Sequence, residues 1–213
     1  MLTVESAPLR YLVSVPKPRA PGTQGLPVLC FLHGYDEAAP LDIRKALTRH
    51  GPLRKGSSTR AVKEFIVVAP QLPAPGGDVW HRYGNDVLKI VHEVRRTYRG
   101  DESRTYLTGF SFGGNGVFDI ALNYAGFWAA LWPVDPTRIP ESDPGRPVWL
   151  SFGEVSRRAK NGFIRGLDLK PADSSEKNDR IYLDQGQDHV GTATQAFRDD
   201  RIYTWLLSKS LKT

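Results

Sequence analysis

Short apolar runs alternate with amphipathic segments along this chain. Val87, Val91, Val94 and Tyr98 recur at helical spacing, whereas most other apolar runs are short and rich in β-branched or aromatic residues. Strands are predicted over 10–15, 27–32, 65–69, 104–108, 128–134, 148–152 and 180–183. Helices are predicted over 85–98, 115–124 and 197–208. This alternation favours one α/β domain over residues 1–213, with a mostly parallel sheet and helices on both faces.

The bulk composition is typical of a soluble globular protein, since 40% of the 213 residues are hydrophobic and 24% are charged. The chain has no apolar stretch long enough to cross a bilayer, and no basic start followed by an apolar core. We therefore expect neither membrane association nor a signal peptide. The single cysteine, Cys30, cannot form an internal disulfide, which favours a reducing, cytoplasmic location. Its apolar neighbours predict that Cys30 is a core residue.

The formal net charge is +6, but the basic residues are scattered along the chain and no nucleic-acid-binding motif accompanies them. We therefore expect a solvated basic surface and no nucleic-acid partner. The sequence also shows no metal-ligand cluster, phosphate-binding loop or nucleotide fingerprint. Neither a metal nor a cofactor is expected.

The segment from Gly109 to Gly113 has the pattern G-x-S-x-G with Ser111 at its centre, between a predicted strand and a predicted helix. A serine nucleophile needs a tight strand-to-helix turn that projects its hydroxyl group from the sheet. Such a turn crowds the positions two residues before and two residues after the serine, and glycine relieves the crowding. Ser111 is therefore the candidate nucleophile.

Several segments, spread over most of the chain, carry a resemblance to a known family. They include LPVLCFLHG (26–34), FIVVAPQLP (65–73), RTYLTGFSFGGNG (104–116) and DHVGTATQAFRDDRIYTWLL (188–207). In these segments the chain resembles the small α/β-hydrolase esterases, close to the dienelactone hydrolase, polyhydroxybutyrate-depolymerase-like and feruloyl-esterase-like groups. The resemblance implies an α/β-hydrolase fold and a serine esterase activity.

The resemblance also implies an oxyanion hole beside the candidate nucleophile. His33-Gly34 follows an apolar strand, and in the family the residue after this pair supplies a backbone amide. Carried over to this chain, the two donors are the amides of Tyr35 and Phe112. We expect the ring of His33 to hold the loop in place rather than to exchange protons.

His189 is the candidate general base because it is the only histidine that follows Ser111. The order of a triad in this fold is serine, acid, histidine along the chain. The sequence places His189 in a loop between the last predicted strand and the last predicted helix. A neutral imidazole there can take the serine proton and return it to the leaving group.

The acid that orients the histidine is the point where the chain departs from the family pattern. The resemblance implies an acidic residue three positions after Gly153, but that position is Ser156. Serine cannot stabilise an imidazolium as a carboxylate does. We take Asp135, which follows the preceding strand, as the first candidate for the acid and Glu154 as the alternative.

The predicted cleft is open, since only about a dozen residues separate the strand that ends at Val134 from the next strand. That length leaves no room for a large cap domain. Trp80 and His81 lie in a tract that resembles the family's tryptophan loop and are predicted to bind substrate, with core packing as the competing interpretation. An open, aromatic-rimmed cleft suits esters with short acyl or aromatic groups.

The sequence thus predicts a carboxylesterase-type serine hydrolase that acts on small-molecule esters through an acyl-enzyme on Ser111. A thioesterase or a small peptidase could use the same site, because the fold does not fix the substrate. In a different class, the missing acid at Ser156 favours a catalytically weakened α/β-hydrolase scaffold that only binds a ligand or a partner.

Overall fold

One sheet organises the part of the chain that the computed structural model describes, which is residues 1–5, 8–17, 25–172 and 178–211. Within these residues the strands are β1 (Leu2–Val4), β2 (Tyr11–Ser14), β3 (Leu26–Leu32), β4 (Ile66–Pro70), β5 (Gly100–Phe110), β6 (Ala130–Val134), β7 (Val148–Phe152), β8 (Lys170–Pro171) and β9 (Arg180–Asp184). Their order across the sheet is β1-β2-β4-β3-β5-β6-β7-β9-β8. β2 pairs antiparallel with β1 and β4, and every other pair is parallel. The predicted mostly parallel sheet is confirmed.

Helices connect these strands on both sides of the sheet. In the described residues they are α1 (Ile43–Leu47), α2 (Thr59–Glu64), α3 (Gly84–Tyr98), α4 (Phe112–Asn123), α5 (Glu154–Arg158), α6 (Lys160–Gly166), α7 (His189–Ala196) and α8 (Asp200–Leu207). Short 3-10 helices span Tyr35–Glu37, Trp80–Tyr83 and Ala125–Phe127. None of the described helices combines the length and the apolar composition that crossing a bilayer requires.

The alternation of side chains along β3 separates the core into two clusters. Val28, Cys30 and Leu32 pack into one cluster with apolar residues of α3 and α4. Leu29 and Phe31 point to the other face, where they pack with apolar residues of α1, α7 and α8. Because successive side chains of a strand face opposite sides, these clusters confirm that helices cover both faces of the sheet. Cys30 is fully buried, as predicted.

Two predicted elements begin three or more residues later than the observed ones. β5 starts at Gly100 rather than at 104, because its first residues are polar and only half-buried and so carry no apolar pattern. Its pairing with β3 nevertheless reaches back to Leu26 and Gly100. α4 starts at Phe112 rather than at 115, because three glycines at 113, 114 and 116 hide the helix from a propensity argument.

The predicted placement of His189 in a loop before one last helix is wrong. The segment forms two helices, α7 and α8, and His189 is the first residue of α7. Asp188 caps that helix, since its side chain accepts a hydrogen bond from the amide of Gly191 at 2.6 Å. The cap turns the carboxylate of Asp188 toward the helix backbone and fixes the start of α7.

The candidate residues collect at one edge of the sheet. His33, Ser111 and Asp135 each directly follow the last residue of β3, β5 and β6 respectively. These three strands are adjacent and parallel. Their carboxyl ends therefore meet at the same edge, which is the edge where parallel α/β sheets bind their ligands.

Candidate active site

The turn between β5 and α4 holds Ser111 in a backbone conformation that amino acids with side chains rarely adopt, with φ 59° and ψ −120°. The two flanking glycines are required for steric reasons. A Cβ atom on Gly109 would lie 2.3 Å from the carbonyl oxygen of Gly113, and one on Gly113 would lie 2.0 Å from the carbonyl oxygen of Leu32. The sequence therefore folds locally into the tight turn that its glycine spacing predicts, and the turn leaves the Ser111 side chain at the sheet edge.

Ser111, His189 and Asp135 form one continuous chain of hydrogen bonds. The Oγ atom of Ser111 lies 2.9 Å from Nε2 of His189, and Nδ1 of the same ring lies 2.6 Å from Oδ2 of Asp135. The first separation is a normal hydrogen-bond length, and the second is short, in the direction expected for a bond to an ionised carboxylate. His189 retains 28% of its side-chain exposure, whereas Asp135 is fully buried. The structure thus brings together three residues that are far apart in sequence and places the imidazole between the hydroxyl group and the carboxylate.

Asp135 is ionised in this environment, although it is buried. Burial by itself opposes ionisation, but hydrogen bonds from His189 and Ser156 outweigh it, and the pKa of Asp135 is lowered. The Oδ1 atom also accepts the amide of Gly153 at 2.9 Å. An ionised carboxylate can only accept, so Nδ1 of His189 carries the proton and Nε2 is left as the acceptor for the serine hydroxyl group.

Ser156 occupies the position where the resemblance implies the acid, and here it donates hydrogen bonds to Asp135. Its amide and its hydroxyl group donate to Oδ1 of Asp135 at 2.8 Å and 2.5 Å. The structure gives no support to Glu154, the alternative candidate for the acid. Glu154 begins α5, its side chain is half-exposed, and it pairs with Arg158 at 3.3 Å one turn along the same helix. The carboxylate that contacts His189 belongs to Asp135.

The ring of His33 holds the loop after β3, which agrees with the structural role expected for it, and the ring is neutral. His33 is fully buried, and burial lowers the pKa of its imidazole to about 4. Its Nε2 accepts the amide of Leu72 at 3.0 Å, so Nδ1 carries the proton and donates to the carbonyl oxygen of Gly34 at 2.7 Å. Both ring nitrogens are therefore engaged in holding the loop.

Tyr35 and Phe112, the predicted oxyanion-hole residues, each begin a helix beside Ser111. Tyr35 starts the first 3-10 helix and Phe112 starts α4, and amides at the first position of a helix have no acceptor within the helix. The loop lies close to the serine, since a Cβ atom on Gly34 would be 3.4 Å from Cβ of Ser111. The rings of Tyr35 and Phe112 meet edge to face, with centroids 5.9 Å apart.

Trp80, which the sequence analysis proposes as a substrate-binding residue, is instead a supporting residue. It is fully buried, and its indole Nε1 donates to the carbonyl oxygen of His33 at 3.0 Å. Gly116 of α4 leaves room for it, since a Cβ atom there would lie 2.5 Å from Cβ of Trp80. The competing interpretation, core packing, is the one that the structure supports. Trp80 therefore acts on the site indirectly, by supporting the loop after β3.

His81 lies on the surface next to the buried Trp80. It lines a shallow depression together with Asp78, Asp119 and Arg138. The residues that line this depression include neither Ser111 nor His189. The structure therefore does not place His81 beside the hydrogen-bonded residues Ser111 and His189. The predicted contact of His81 with substrate gains no support.

Sequence reasoning missed Asn115, which joins three segments around the site. Asn115 is fully buried on the first turn of α4. Its Oδ1 accepts the amide of Thr137 at 2.8 Å, and its Nδ2 donates to Asp78 at 2.9 Å. The loop that carries Asp135 is thereby fixed to the helix that carries Ser111. The signal was present in the G-x-S-x-G-G-N stretch, but an asparagine there also suits the start of a helix, and the predicted helix begins at that residue.

No group of three or more histidine, cysteine, aspartate or glutamate side chains within the described residues is arranged to hold a metal ion. The side chains that the structure connects at the candidate site are a serine, a histidine and a carboxylate.

No protein-family model matches the chain, and no curated protein matches it either. Several solved structures are similar in fold. A thermostable esterase is 19% identical with a TM-score of 0.71, and the match covers 98% of this chain and 62% of that one. The fluorophosphonate-binding serine hydrolase F of Staphylococcus aureus is 15% identical with a TM-score of 0.70, over 97% of this chain and 96% of that one.

A feruloyl esterase module from Clostridium thermocellum is also similar. It is 13% identical with a TM-score of 0.63, over 93% of this chain and 84% of the module. At these identities the likeness concerns the fold. The chain has the α/β-hydrolase fold that the resemblance implied, and it spans 62% of the length of the thermostable esterase.

Proposed function

We propose that this protein is a serine-dependent carboxylic-ester hydrolase that acts on short-acyl or aromatic esters. One observation carries the proposal: the 2.9 Å and 2.6 Å hydrogen bonds that connect Ser111 to Asp135 through the ring of His189. This arrangement activates a serine hydroxyl group for attack on an acyl carbon. It also weakens the alternative of a scaffold that only binds a ligand or a partner. That alternative was favoured by the missing acid at Ser156, and the buried carboxylate of Asp135 takes the place of that acid.

In the proposed acylation, the Oγ atom of Ser111 attacks the ester carbonyl carbon while Nε2 of His189 takes the hydroxyl proton. Asp135 holds the ring in the required tautomer and stabilises the imidazolium cation that forms. The carbonyl oxygen becomes an oxyanion, and the amides of Tyr35 and Phe112 donate to it. His189 then returns the proton to the ester oxygen, the C–O bond breaks and the alcohol leaves.

In the proposed deacylation, water attacks the acyl-enzyme as His189 takes one of its protons. The second tetrahedral intermediate collapses when the bond to Ser111 breaks and His189 gives the proton back to the serine oxygen. The products are a carboxylic acid and the regenerated enzyme. No step requires a metal or a cofactor.

The proposed substrate class follows from the surroundings of the serine. Thirteen residues, 135–147, connect β6 to β7, and they contain no helix that could form a cap over the site. Tyr35 is 60% exposed, and its ring meets that of Phe112 at the rim. An uncovered site with an aromatic rim suits small esters with short acyl or aromatic groups. The names of the similar structures, which include an esterase, a serine hydrolase and a feruloyl esterase module, support the same reaction class.

Two further expectations belong to this proposal. The single cysteine, Cys30, is buried and free, which supports a reducing, cytoplasmic location. All described strands belong to one sheet, which supports a single domain over residues 1–213.

The proposal is tested by hydrolysis of p-nitrophenyl acetate and p-nitrophenyl butyrate by the wild type, Ser111→Ala and His189→Ala. We expect the wild type to turn over both esters and both variants to fall to the uncatalysed background or within a few thousandfold of it. Matched acetyl and butyryl thioesters, measured in parallel, separate an esterase from a thioesterase. Wild-type rates equal to those of Ser111→Ala on every substrate would overturn the proposal and restore the binding scaffold.

A further inference from the structure

Glu37 lies directly beside the proposed oxyanion hole, at the end of the 3-10 helix that begins with Tyr35. Its side chain folds back onto the start of that helix, where Oε2 accepts the amide of Gly34 at 2.7 Å. Gly34 separates the carboxyl group from the serine. A Cβ atom on Gly34 would lie 3.3 Å from Oε2 of Glu37 and 3.4 Å from Cβ of Ser111. The carboxyl group therefore sits one residue away from the place where negative charge develops.

The carboxyl group of Glu37 is almost completely removed from solvent and has one unsatisfied oxygen. The residue is 1% exposed, and Oε1 has no hydrogen-bond partner among the described residues. Gln71 comes close, but its amide group donates to the main-chain oxygen of Glu37 at 2.8 Å and not to the carboxyl group. A buried ionised carboxylate normally requires a cation or several donors. A protonated carboxyl group requires much less, because it carries no charge.

The charged groups around Glu37 do not supply a direct partner. Asp36, on the same 3-10 helix, repels a negative charge there, and Arg49, after α1, attracts it. Arg49 itself lies 4.0 Å from Asp36, so part of its charge is offset. His33, at the end of β3, is neutral in this environment. Burial dominates this balance and raises the pKa of Glu37 to about 7.

We propose that Glu37 is a positioning residue that holds the oxyanion-hole loop as a neutral carboxylic acid, so that its deprotonation slows ester hydrolysis. In the neutral form it accepts the Gly34 amide and fixes the backbone on which the Tyr35 amide is presented. In the ionised form it places a negative charge beside the oxyanion of the tetrahedral intermediate. That repulsion acts on the transition state more than on the neutral ester, and it therefore lowers kcat. The proposal rests on the proposed esterase function.

The test compares wild type with Glu37→Gln, which keeps an oxygen acceptor for the Gly34 amide and is neutral at every pH. Hydrolysis of p-nitrophenyl acetate is followed between about pH 5.5 and about pH 9. Both proteins contain His189, so its protonation changes kcat in both. The ratio of the two kcat values therefore isolates the effect of Glu37 ionisation. We expect a constant ratio below the pKa of Glu37 and a roughly tenfold fall of wild type relative to Glu37→Gln above it, as expected for like charges at short range.

A control variant, Glu64→Gln, changes a partly exposed glutamate at the end of α2 that pairs with Arg60. Its kcat ratio to wild type should be independent of pH. A flat ratio for Glu37→Gln, with Ser111→Ala inactive, would overturn the role of Glu37 and leave the esterase standing. Full activity of Ser111→Ala would instead overturn the esterase itself. Absence of hydrolysis by the wild type at every pH would overturn both.

Thermal unfolding gives a readout that does not depend on activity. The folded pKa of Glu37, about 7, lies above its ordinary value, so between the two values the folded protein binds a proton that the unfolded chain releases. The contribution of Glu37 to stability is therefore lost as pH rises through this window. The Tm of Glu37→Gln should rise relative to that of wild type from about pH 5 to about pH 8. A difference in Tm that does not change with pH would overturn the proposal.

Discussion

At the scale of single residues, Asp135 divides its two oxygens between two tasks. Oδ2 contacts the ring of His189, while Oδ1 accepts hydrogen bonds from Gly153 and Ser156. A second carboxylate at 156 would stand beside the first, and two like charges at that distance disfavour ionisation of both. A serine at 156 avoids this repulsion and adds a donor. The chain thus has a serine, a histidine and a carboxylate joined by hydrogen bonds, and the carboxylate follows β6 rather than β7, the strand after which the resemblance implies an acid.

The assignment of the acid predicts the effect of Asp135→Asn on turnover. The side-chain amide of asparagine no longer stabilises the imidazolium and favours the wrong tautomer of His189, so kcat for p-nitrophenyl acetate should fall by about four orders of magnitude. Glu154→Gln is the matched control and should retain the wild-type rate, since Glu154 pairs with Arg158 on the surface. A large loss in Glu154→Gln together with an active Asp135→Asn would reverse the assignment.

Ser111 and His189 could both be proposed from the sequence alone. The glycine spacing identifies the serine, and only one histidine follows it. The acid was not predictable to the same degree. Asp135 and Glu154 both follow strands, and the choice depends on where two loops lie in space. Asp135 turns back toward the site with φ 42°, a backbone conformation that no pattern around it indicates.

At the scale of elements, the loop after β3 depends on a side chain from another loop. Trp80 donates to the carbonyl oxygen of His33, and the two rings pack edge to face with centroids 5.1 Å apart. The tryptophan loop therefore fixes the loop that presents the Tyr35 amide. From the sequence, Trp80 is predicted to bind substrate with core packing as the competing interpretation, because an aromatic residue near a cleft gives the same pattern in either role.

The supporting role of Trp80 predicts the behaviour of Trp80→Phe. This change removes the indole N–H donor and opens a small cavity. The buried carbonyl oxygen of His33 then loses the hydrogen bond that it accepts from Trp80. The free energy of unfolding should fall by about 1–3 kcal/mol, and kcat should fall while KM stays close to its wild-type value. Chemical denaturation and steady-state kinetics measure the two effects.

His81→Ala is the control for this element because His81 is exposed on the same 3-10 helix. It should change neither the free energy of unfolding nor the kinetics. A selective increase in KM for His81→Ala would show that His81 contacts substrate after all. An unchanged free energy of unfolding in Trp80→Phe would contradict the supporting role of Trp80.

The short elements show where sequence patterns stop being informative. α1, α2, α5 and α6 have between five and seven residues, which is too few for a helical repeat to appear. The N-terminal part of β5 is largely polar, and its register with β3 is irregular between the pair Leu26–Gly100 and the pair Val28–Thr105. Such segments take their structure from tertiary neighbours, whereas the long apolar elements could be predicted from the chain alone.

At the scale of the whole molecule, the order of elements decides where chemistry can occur. Buried parallel strands at the centre of the sheet bring the residues after β3, β5 and β6 to one edge, and α7 returns to that edge with His189 at its first position. This layout follows from continuous apolar strands alternating with helices, so it could be predicted from the sequence. The distances within the site could not, because they depend on the cap at Asp188 and on the contacts of Asn115.

We propose that Ser111 is a nucleophile activated by His189. The most direct test is covalent labelling of the native protein with a fluorophosphonate, followed by mass spectrometry of the intact protein and its peptides. We expect one adduct, located on Ser111, that is absent from Ser111→Ala and forms far more slowly in His189→Ala. A native wild type that forms no adduct, or an adduct that persists in Ser111→Ala, would contradict the role of Ser111 as the nucleophile.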